Sequence, residues 1–326
     1  MNAQQDKNML FTSAGRGVEG IEAPAAQENT RKAEKILLVL NPVAGKGRSV
    51  DLLGTYLPEL AHDGVPVTIY FTQTEGDGSR FVAEHGNEYS RIIIAGGDGS
   101  LNELVTGVLQ GKIEADLGYL PTGTVCDFAA TLGLPRDMAA ASAIARFGTT
   151  SCFDVGKFNQ EQYFIYVASF GAFTDSSYDT PTELKNTIGR MAYLANALKN
   201  LSNLSEIPLK AVLNGQTIEG KFLLGAVLNS TQMGGIVRFD PEEITLDDGF
   251  FEVLLVRFPQ SAGDVSAIIN GLMNQDYANE PFIFTRTKKV HFSFTEETAF
   301  TLDGEFGGAY REVDIEVVNK AWKLTH

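Results

Sequence analysis

Apolar and polar positions change their period twice along the chain. Residues 1 to about 33 are polar, Gln-rich and aperiodic, which predicts a flexible tail. Ile36-Leu37-Leu38-Val39-Leu40 is then a continuous apolar run, suited to a strand buried on both faces. Val50, Leu53, Leu57 and Leu60 keep helical spacing, and Val65–Phe71 reads as a second strand. The alternation continues with a helix over 77–88, a strand over Arg91–Ala95 and an amphipathic helix over 100–110. A short strand over Leu117–Leu120 and a helix over 137–147 complete it. Strands and helices in strict turn predict a parallel, doubly wound α/β layer over residues 34–153. In such a layer ligands bind beyond the carboxyl ends of the strands.

After about residue 153 the period shortens. Phe164–Phe170, Leu209–Leu213, Lys221–Leu228, Phe250–Val256, Val290–Phe294 and Val313–Val317 read as strands. Turn signals such as Asn214-Gly215 predict antiparallel pairing, hence a β-sandwich-like domain over 154–305. One helix is expected to interrupt it, on the stripe Leu184, Ile188, Met191, Leu194, Leu198 and Leu201. That stripe reads as core, with a lipid groove as the alternative. Trp322 reads as a packing residue.

Length and charge narrow the function. The 326 residues exceed one typical domain, and 44% of them are hydrophobic, enough for a sizeable core. Acidic residues outnumber basic ones by 41 to 26, a formal charge of −15. Such a chain is a poor general ligand for nucleic acid, and no nucleic-acid partner is expected. Bulk charge also opposes binding to an anionic membrane, so any membrane contact must be local. Cys126 and Cys152 show no paired spacing and read as free thiols. No apolar run of about 18 residues and no leader pattern are found, so a cytoplasmic location is expected. The four histidines show no metal-ligand spacing.

The strongest chemical signal is Gly96-Gly97-Asp98-Gly99-Ser100-Leu101-Asn102-Glu103, a glycine-rich turn between a buried strand and a helix. Glycines let a backbone approach phosphate closely, and a helix N-terminus favours an anion. Asp98 within such a turn makes sense as a Mg²⁺ ligand or as an orienter of a donor; the alternative is a plain helix cap. Asn41-Pro42-Val43-Ala44-Gly45-Lys46-Gly47 follows the first strand in the same way. It matches neither a Walker A loop nor a dinucleotide fingerprint, and reads as an ordinary turn or a phosphate contact with Lys46 or Arg48 neutralising charge. Pro121-Thr122-Gly123-Thr124-Val125-Cys126-Asp127-Phe128 ends a third strand, with Thr124 a candidate donor. Asp303-Gly304-Glu305 offers a paired-carboxylate site or a simple turn, and Asp247-Asp248-Gly249 has the same ambiguity.

Taken in order, these motifs, with Ile188-Gly189-Arg190-x-x-Tyr193, resemble the bacterial diacylglycerol kinase and YegS-like lipid kinase family, whose catalytic domain is shared with sphingosine kinases. The resemblance runs from residue 35 to the end. It implies ATP in a cleft between an α/β domain and a β-rich domain, with the segment from about 306 to 326 returning to the former. It implies an ATP site from Asn41, Pro42, Gly45, Lys46, Thr72, Gly96, Gly97, Asp98, Gly99, Ser100, Asn102, Glu103, Thr124 and Asp127. It implies Asp303 as the base with Glu305 in support, and a structural Mg²⁺ near Asp248 with the carbonyls of Thr245 and Phe250. The expected substrate is a lipid, met transiently at the inner membrane face. The oligomeric state is open and includes a homodimer. Cys126 stands where the family usually has Asn, and Ser100 where it usually has Thr. Two other readings remain: a kinase of a soluble substrate such as NAD, which shares the Gly-Gly-Asp-Gly turn, and a non-catalytic nucleotide- or lipid-binding regulator.

Overall fold

The five apolar residues Ile36–Leu40 form strand β1, and all five are buried because the strand is covered on both faces. Their side chains alternate, as strand geometry requires. Ile36, Leu38 and Leu40 pack against Tyr56 and Leu60 of one helix and Ala141 and Ala145 of another. Leu37 and Val39 pack on the opposite side against Val82, Leu101 and Val105. The structure, a computed structural model, describes residues 34–160, 162–172, 205–234, 237–242 and 244–326. The predicted helix carrying Ile188 and Met191, and the Ile188–Tyr193 motif, lie outside the described residues.

Strand β1 pairs in parallel with β2 (Val67–Phe71) and β3 (Arg91–Gly96), and β3 with β4 (Asp116–Pro121). The helices between and after them are α1 (Arg48–Asp51), α2 (Leu53–Leu60), α3 (Asp77–His85), α4 (Asp98–Gly111), α5 (Asp127–Thr131) and α6 (Met138–Phe147). The C-terminal edges of β1, β3 and β4 therefore open onto one side, with the glycine-bearing loops directly after them.

The rest of the chain is rich in antiparallel strands: β5 (Thr150–Phe158), β6 (Gln162–Phe164), β7 (Val167–Gly171), β8 (Ile207–Leu213), β9 (Gln216–Leu228), β10 (Gln232–Met233), β11 (Val237–Arg238), β12 (Phe251–Arg257), β13 (Phe282–Thr287), β14 (Lys289–Leu302) and β15 (Glu305–Thr325). The fold is thus mixed α/β with a β-rich C-terminal part. All strands except β10 and β11 belong to one hydrogen-bonded sheet of thirteen, so these β-strands share a sheet with the parallel strands. The link is β15. Its 21 residues span roughly 70 Å at strand rise, enough to pair with β14 at one end and with β4 at Leu324 and Thr325.

Strands β7 and β8 lie end to end in a single lane of the sheet. Gly171 pairs with Leu224 and Ile207 with Phe222 on β9, while β14 pairs with both on the other side. Strand β7 ends at Gly171, whose φ of +92° suits a residue without Cβ. The turn Asn214-Gly215 joins β8 to β9 with φ of +51° and +75°, both left-handed, as the sequence signal demands. One further helix, α7 (Ala262–Asn274), escaped the sequence reading. Its signals are a capping box between Ser261 and Asp264 and the apolar spacing Val265, Ile268, Leu272. Among the described residues no helix is long and apolar enough to cross a membrane.

Trp322, near the end of β15, is 2% exposed. Its ring centroid lies 5.7 Å from Phe128 and 5.3 Å from Phe153, and its Nε1 donates to the Asp154 carbonyl at 3.2 Å. It joins the C-terminal strand to α5. Replacing Trp322 with Ala is expected to cost about 3–5 kcal/mol in chemical denaturation, the usual range for a buried aromatic.

Candidate active site

Three loops converge because glycine lets them touch. Gly45 has φ +59°, and a Cβ there would sit 2.1 Å from the Thr122 carbonyl oxygen. A Cβ on Gly123 would sit 2.6 Å from the Gly97 Cα. The loops after β1, β3 and β4 therefore pack backbone on backbone. Asn41 Nδ2 donates to Ser100 Oγ at 3.1 Å, tying the first loop to the start of α4. The loop after β2 is held by Glu103, whose Oε1 accepts from the Gly76 amide at 3.0 Å.

Asp98 opens α4 but does not cap it: its side chain makes no hydrogen bond to its own helix end. Its carboxylate accepts instead from the Asp127 amide at 2.7 Å and from the Tyr119 hydroxyl at 3.3 Å. Leu101 N to Gly97 O, at 3.0 Å, is the first hydrogen bond of this helix start. The amides of Gly99 and Ser100 thus head a 14-residue helix, where partial positive charge collects.

The β14–β15 hairpin enters the same space from about 200 residues downstream in sequence. Asp303 and Gly304 form its turn, with φ of +51° and +89°. Asp303 therefore serves as a turn residue and also carries a buried carboxylate. That carboxylate accepts from Asn102 Nδ2 at 2.6 Å and from the amides of Ile165, Tyr166 and Val167 at 2.7, 2.9 and 3.0 Å. Glu305 reaches Gly99: a Cβ there would lie 3.2 Å from the Glu305 Cγ. Asp127 Oδ2 accepts from the Gly234 amide at 2.9 Å, which draws in the loop after β9.

Burial dominates the electrostatics. It pushes Asp98 up to about 7, and the nearby charges of Asp127 and Asp303 push the same way. Burial also pushes Asp303 up to about 6, against the lowering effect of its four N–H donors. The Cys126 thiol is raised by burial as well. Both aspartates ionise less readily folded than unfolded, where the value is about 3.9. The folded state then binds more protons, so this contribution makes stability fall as pH rises from about 4 to about 7.

These groups surround a cavity of about 1230 Å³, above the roughly 300–1,000 Å³ of a single drug-sized ligand. Asn41, Pro42, Gly45, Thr72, Gly97, Asp98, Gly99, Ser100, Asn102, Glu103, Thr124, Asp127, Asp303 and Glu305 all line it. Lys46 does not; it is exposed outside the wall with φ +63°. Gly96 lies behind the wall, packed on Ser100. Val167, Leu224, Val237 and Leu272 add an apolar wall whose residues the sequence reading did not name. Glu75, Asp98, Glu103, Asp127, Asp303 and Glu305 give the cavity six carboxyl groups, and among the described residues no Lys, Arg or His lines it.

Thr245, Asp248 and Phe250 lie away from this lining. The Asp248 carboxylate accepts from the Phe250 amide at 3.0 Å and is ion-paired with the Arg286 guanidinium. Arg286 Nε also donates to Glu252 at 3.1 Å. A guanidinium thus holds the carboxylate that would have to ligate a divalent ion, and these residues do not fit one as arranged. The cavity differs: it offers carboxyl groups and no basic side chain. Mg²⁺ is commonly held by one or two carboxylates plus substrate phosphates, and Asp98 fits that part. Among the described residues no three His, Cys, Asp or Glu side chains converge to hold a metal alone.

Replacing Asp98 with Asn is expected to raise Tm by a few degrees at pH 7.5 and to flatten the fall in stability between pH 5 and 7.5, measured by thermal melts across pH. EDTA is expected to leave the Tm of the nucleotide-free protein unchanged, because Arg286 already supplies the positive charge at Asp248.

The diacylglycerol kinase catalytic domain, as a family, matches residues 35–158. A diacylglycerol kinase of Staphylococcus carnosus is 31% identical over 83% of this chain and 88% of its own length. One of Bacillus subtilis is 29% identical over 83% and 89%. A Bacillus anthracis structure provisionally assigned as a diacylglycerol kinase superposes with a TM-score of 0.76 at 27% identity, covering 92% of this chain and 98% of that one. A second, described as a diacylglycerol kinase, gives 0.70 at 25% identity over 91% and 98%. The chain belongs to the diacylglycerol kinase family and is a lipid kinase, a phosphotransferase with an alcohol acceptor.

Proposed function

We propose that the protein transfers the γ-phosphoryl group of ATP to the free hydroxyl of diacylglycerol in a Mg²⁺-dependent reaction. The observation that carries this reading is that one cavity is lined by the glycine loops and the N-terminus of α4, by Asp303, and by the apolar side chains Leu224, Val237 and Leu272. Residues 34–153 would hold the nucleotide and 154–305 the lipid.

In this mechanism the amides at the start of α4 and the loops around Gly45 and Gly123 grip the phosphates. Asn41 and Ser100 keep two of those loops in register. Asp98, together with the ATP phosphates, would hold Mg²⁺, which would supply the positive charge that a triphosphate needs among six carboxyl groups. Asp303 takes the acceptor's proton. Its Oδ2 is the reacting oxygen, because one of its two donors is a side chain, Asn102, while both donors to Oδ1 are backbone amides. Catalysis then rests mainly on positioning, as a loose phosphoryl transition state requires.

A soluble phosphorylated acceptor such as NAD would call for basic side chains, and the described cavity wall has none. A non-catalytic role would rest on Cys126. Its thiol is buried, while the loop contacts to Asp98 run through the Asp127 amide. The working form would be a peripheral protein at the inner membrane face.

The test is a panel of diacylglycerol, phosphatidylglycerol, a sphingoid base, a polyprenol and NAD, each with ATP and Mg²⁺. Phosphorylated diacylglycerol is expected; transfer to NAD alone would sink the reading. Asp303→Asn should lower kcat at least ~100-fold with the fold intact by circular dichroism. In the wild type, kcat/KM should drop as pH falls through about 6, where Asp303 takes up its proton.

A further inference from the structure

We propose that Ser169 and Thr301 read an ester carbonyl of the acceptor lipid. This deepens the lipid-kinase reading above and rests on it. Ser169 on β7 and Thr301 on β14 are direct partners across the sheet, with Oγ and Oγ1 2.8 Å apart. Both line the cavity. Thr301 stands two residues before Asp303, about 6–7 Å along the strand. Ser169 shares its face of β7 with Val167, whose amide binds Asp303.

The wall therefore changes chemistry in steps. Along the paired strands Asp303 comes first, then the hydroxyl pair, and then Leu224 and Ala172, with Val237 and Leu272 in the same cavity lining. A diacylglycerol changes in the same order, from free hydroxyl to ester to hydrocarbon. With its hydroxyl at Asp303 and its chains on the apolar wall, an ester group falls at the pair.

The hydrogen count supports a carbonyl. Two hydroxyls carry two hydrogens. One is used within the pair, and among the described residues no other side-chain or backbone group bonds to either hydroxyl. Ser169 is only 4% exposed and can donate to Thr301, which leaves the second hydrogen on the half-buried Thr301 at the cavity wall. A carbonyl of the substrate that displaces water there accepts that hydrogen, and each of the two groups then keeps a partner on binding.

The experiment compares kcat/KM for a 1,2-diacylglycerol and the matched 1,2-dialkylglycerol ether in mixed micelles with ATP and Mg²⁺. The ether keeps the hydroxyl and chains but lacks both carbonyls. The wild type should prefer the ester about 10-fold, the worth of one hydrogen bond in a dry site. Ser169→Ala/Thr301→Val should bring that ratio close to one, through loss on the ester. Thr301→Ser, which keeps the hydroxyl, should restore most of the preference. Thr301→Val alone preserves shape and carries the comparison if the double variant folds poorly. Equal slowing of both lipids, or an unchanged ratio, would overturn the proposal while leaving the kinase reading standing. A wild type that turns over neither lipid would overturn the kinase reading, and this inference with it.

Discussion

Four N–H groups from two separate parts of the chain converge on the carboxylate of Asp303, and the site depends on that convergence. Ile165, Tyr166 and Val167 supply three of them from the start of β7, and Asn102 supplies the fourth from α4. The Asp303 amide answers by donating to the Val167 carbonyl at 2.8 Å. A tight hairpin turn is thus bonded to the strand beside it and to the helix that begins at the glycine-rich loop. Without this joint the downstream carboxylate would hang at a strand end with nothing to fix its distance from Asp98. With it, the group is oriented but so well solvated by amides that it stays ionisable at 4% exposure.

The second constraint is charge. Six carboxyl groups around one cavity repel one another and any phosphate. The raised value of Asp98 records burial first, with the charges of Asp127 and Asp303 pushing the same way, and the raised value of Asp303 records burial against its four N–H donors. Functional sites commonly accept such instability in exchange for chemistry. The contrast with Asp248 is instructive. There Arg286 provides the countercharge from the neighbouring strand, and Glu252, 1% exposed, shares it. The protein meets one group of acids with a guanidinium of its own and leaves the other group open.

Much of this was legible before the structure, for reasons of range. The buried strands, the glycine turn before α4 and the Asp303-Gly304 hairpin are written in neighbouring residues, where period and φ preference act directly. Asp303 offered a choice between turn and acid because each role leaves the same mark in sequence; in the structure it is a turn residue whose buried carboxylate also lines the cavity. The residues that make the cavity's apolar wall were not legible. The wall needs Leu272 of α7, Leu224 of β9 and Val237 to meet, and no local pattern encodes that meeting. Ser169 and Thr301 escaped for the same reason: their pairing depends on the register between β7 and β14. The helix α7 was missed for a weaker reason, since its Ser261–Asp264 capping box was present in the sequence. Lys46, named from its place in a glycine loop, is exposed and stands outside the cavity lining on a left-handed backbone, a placement that the local pattern does not encode.

Cys126 shows what the loop after β4 requires. Its φ of +56° and ψ of +58° place it in the left-handed region, where Asn is at home and a thiol-bearing residue costs about 1–2 kcal/mol. The chain tolerates that cost because the next residue needs the reversal. The turn at Cys126 starts α5 and aims the Asp127 amide at Asp98, while the Asp127 carboxylate takes the Gly234 amide. Both contacts belong to Asp127 and neither to the side chain at 126. The side chain at 126 has a place of its own as well: it lines the cavity and hydrogen-bonds Tyr119, whose hydroxyl donates to Asp98. The departure at Cys126 therefore bears on two things at once, the backbone cost of the reversal that aims the Asp127 amide and the side-chain contact that reaches Asp98 through Tyr119.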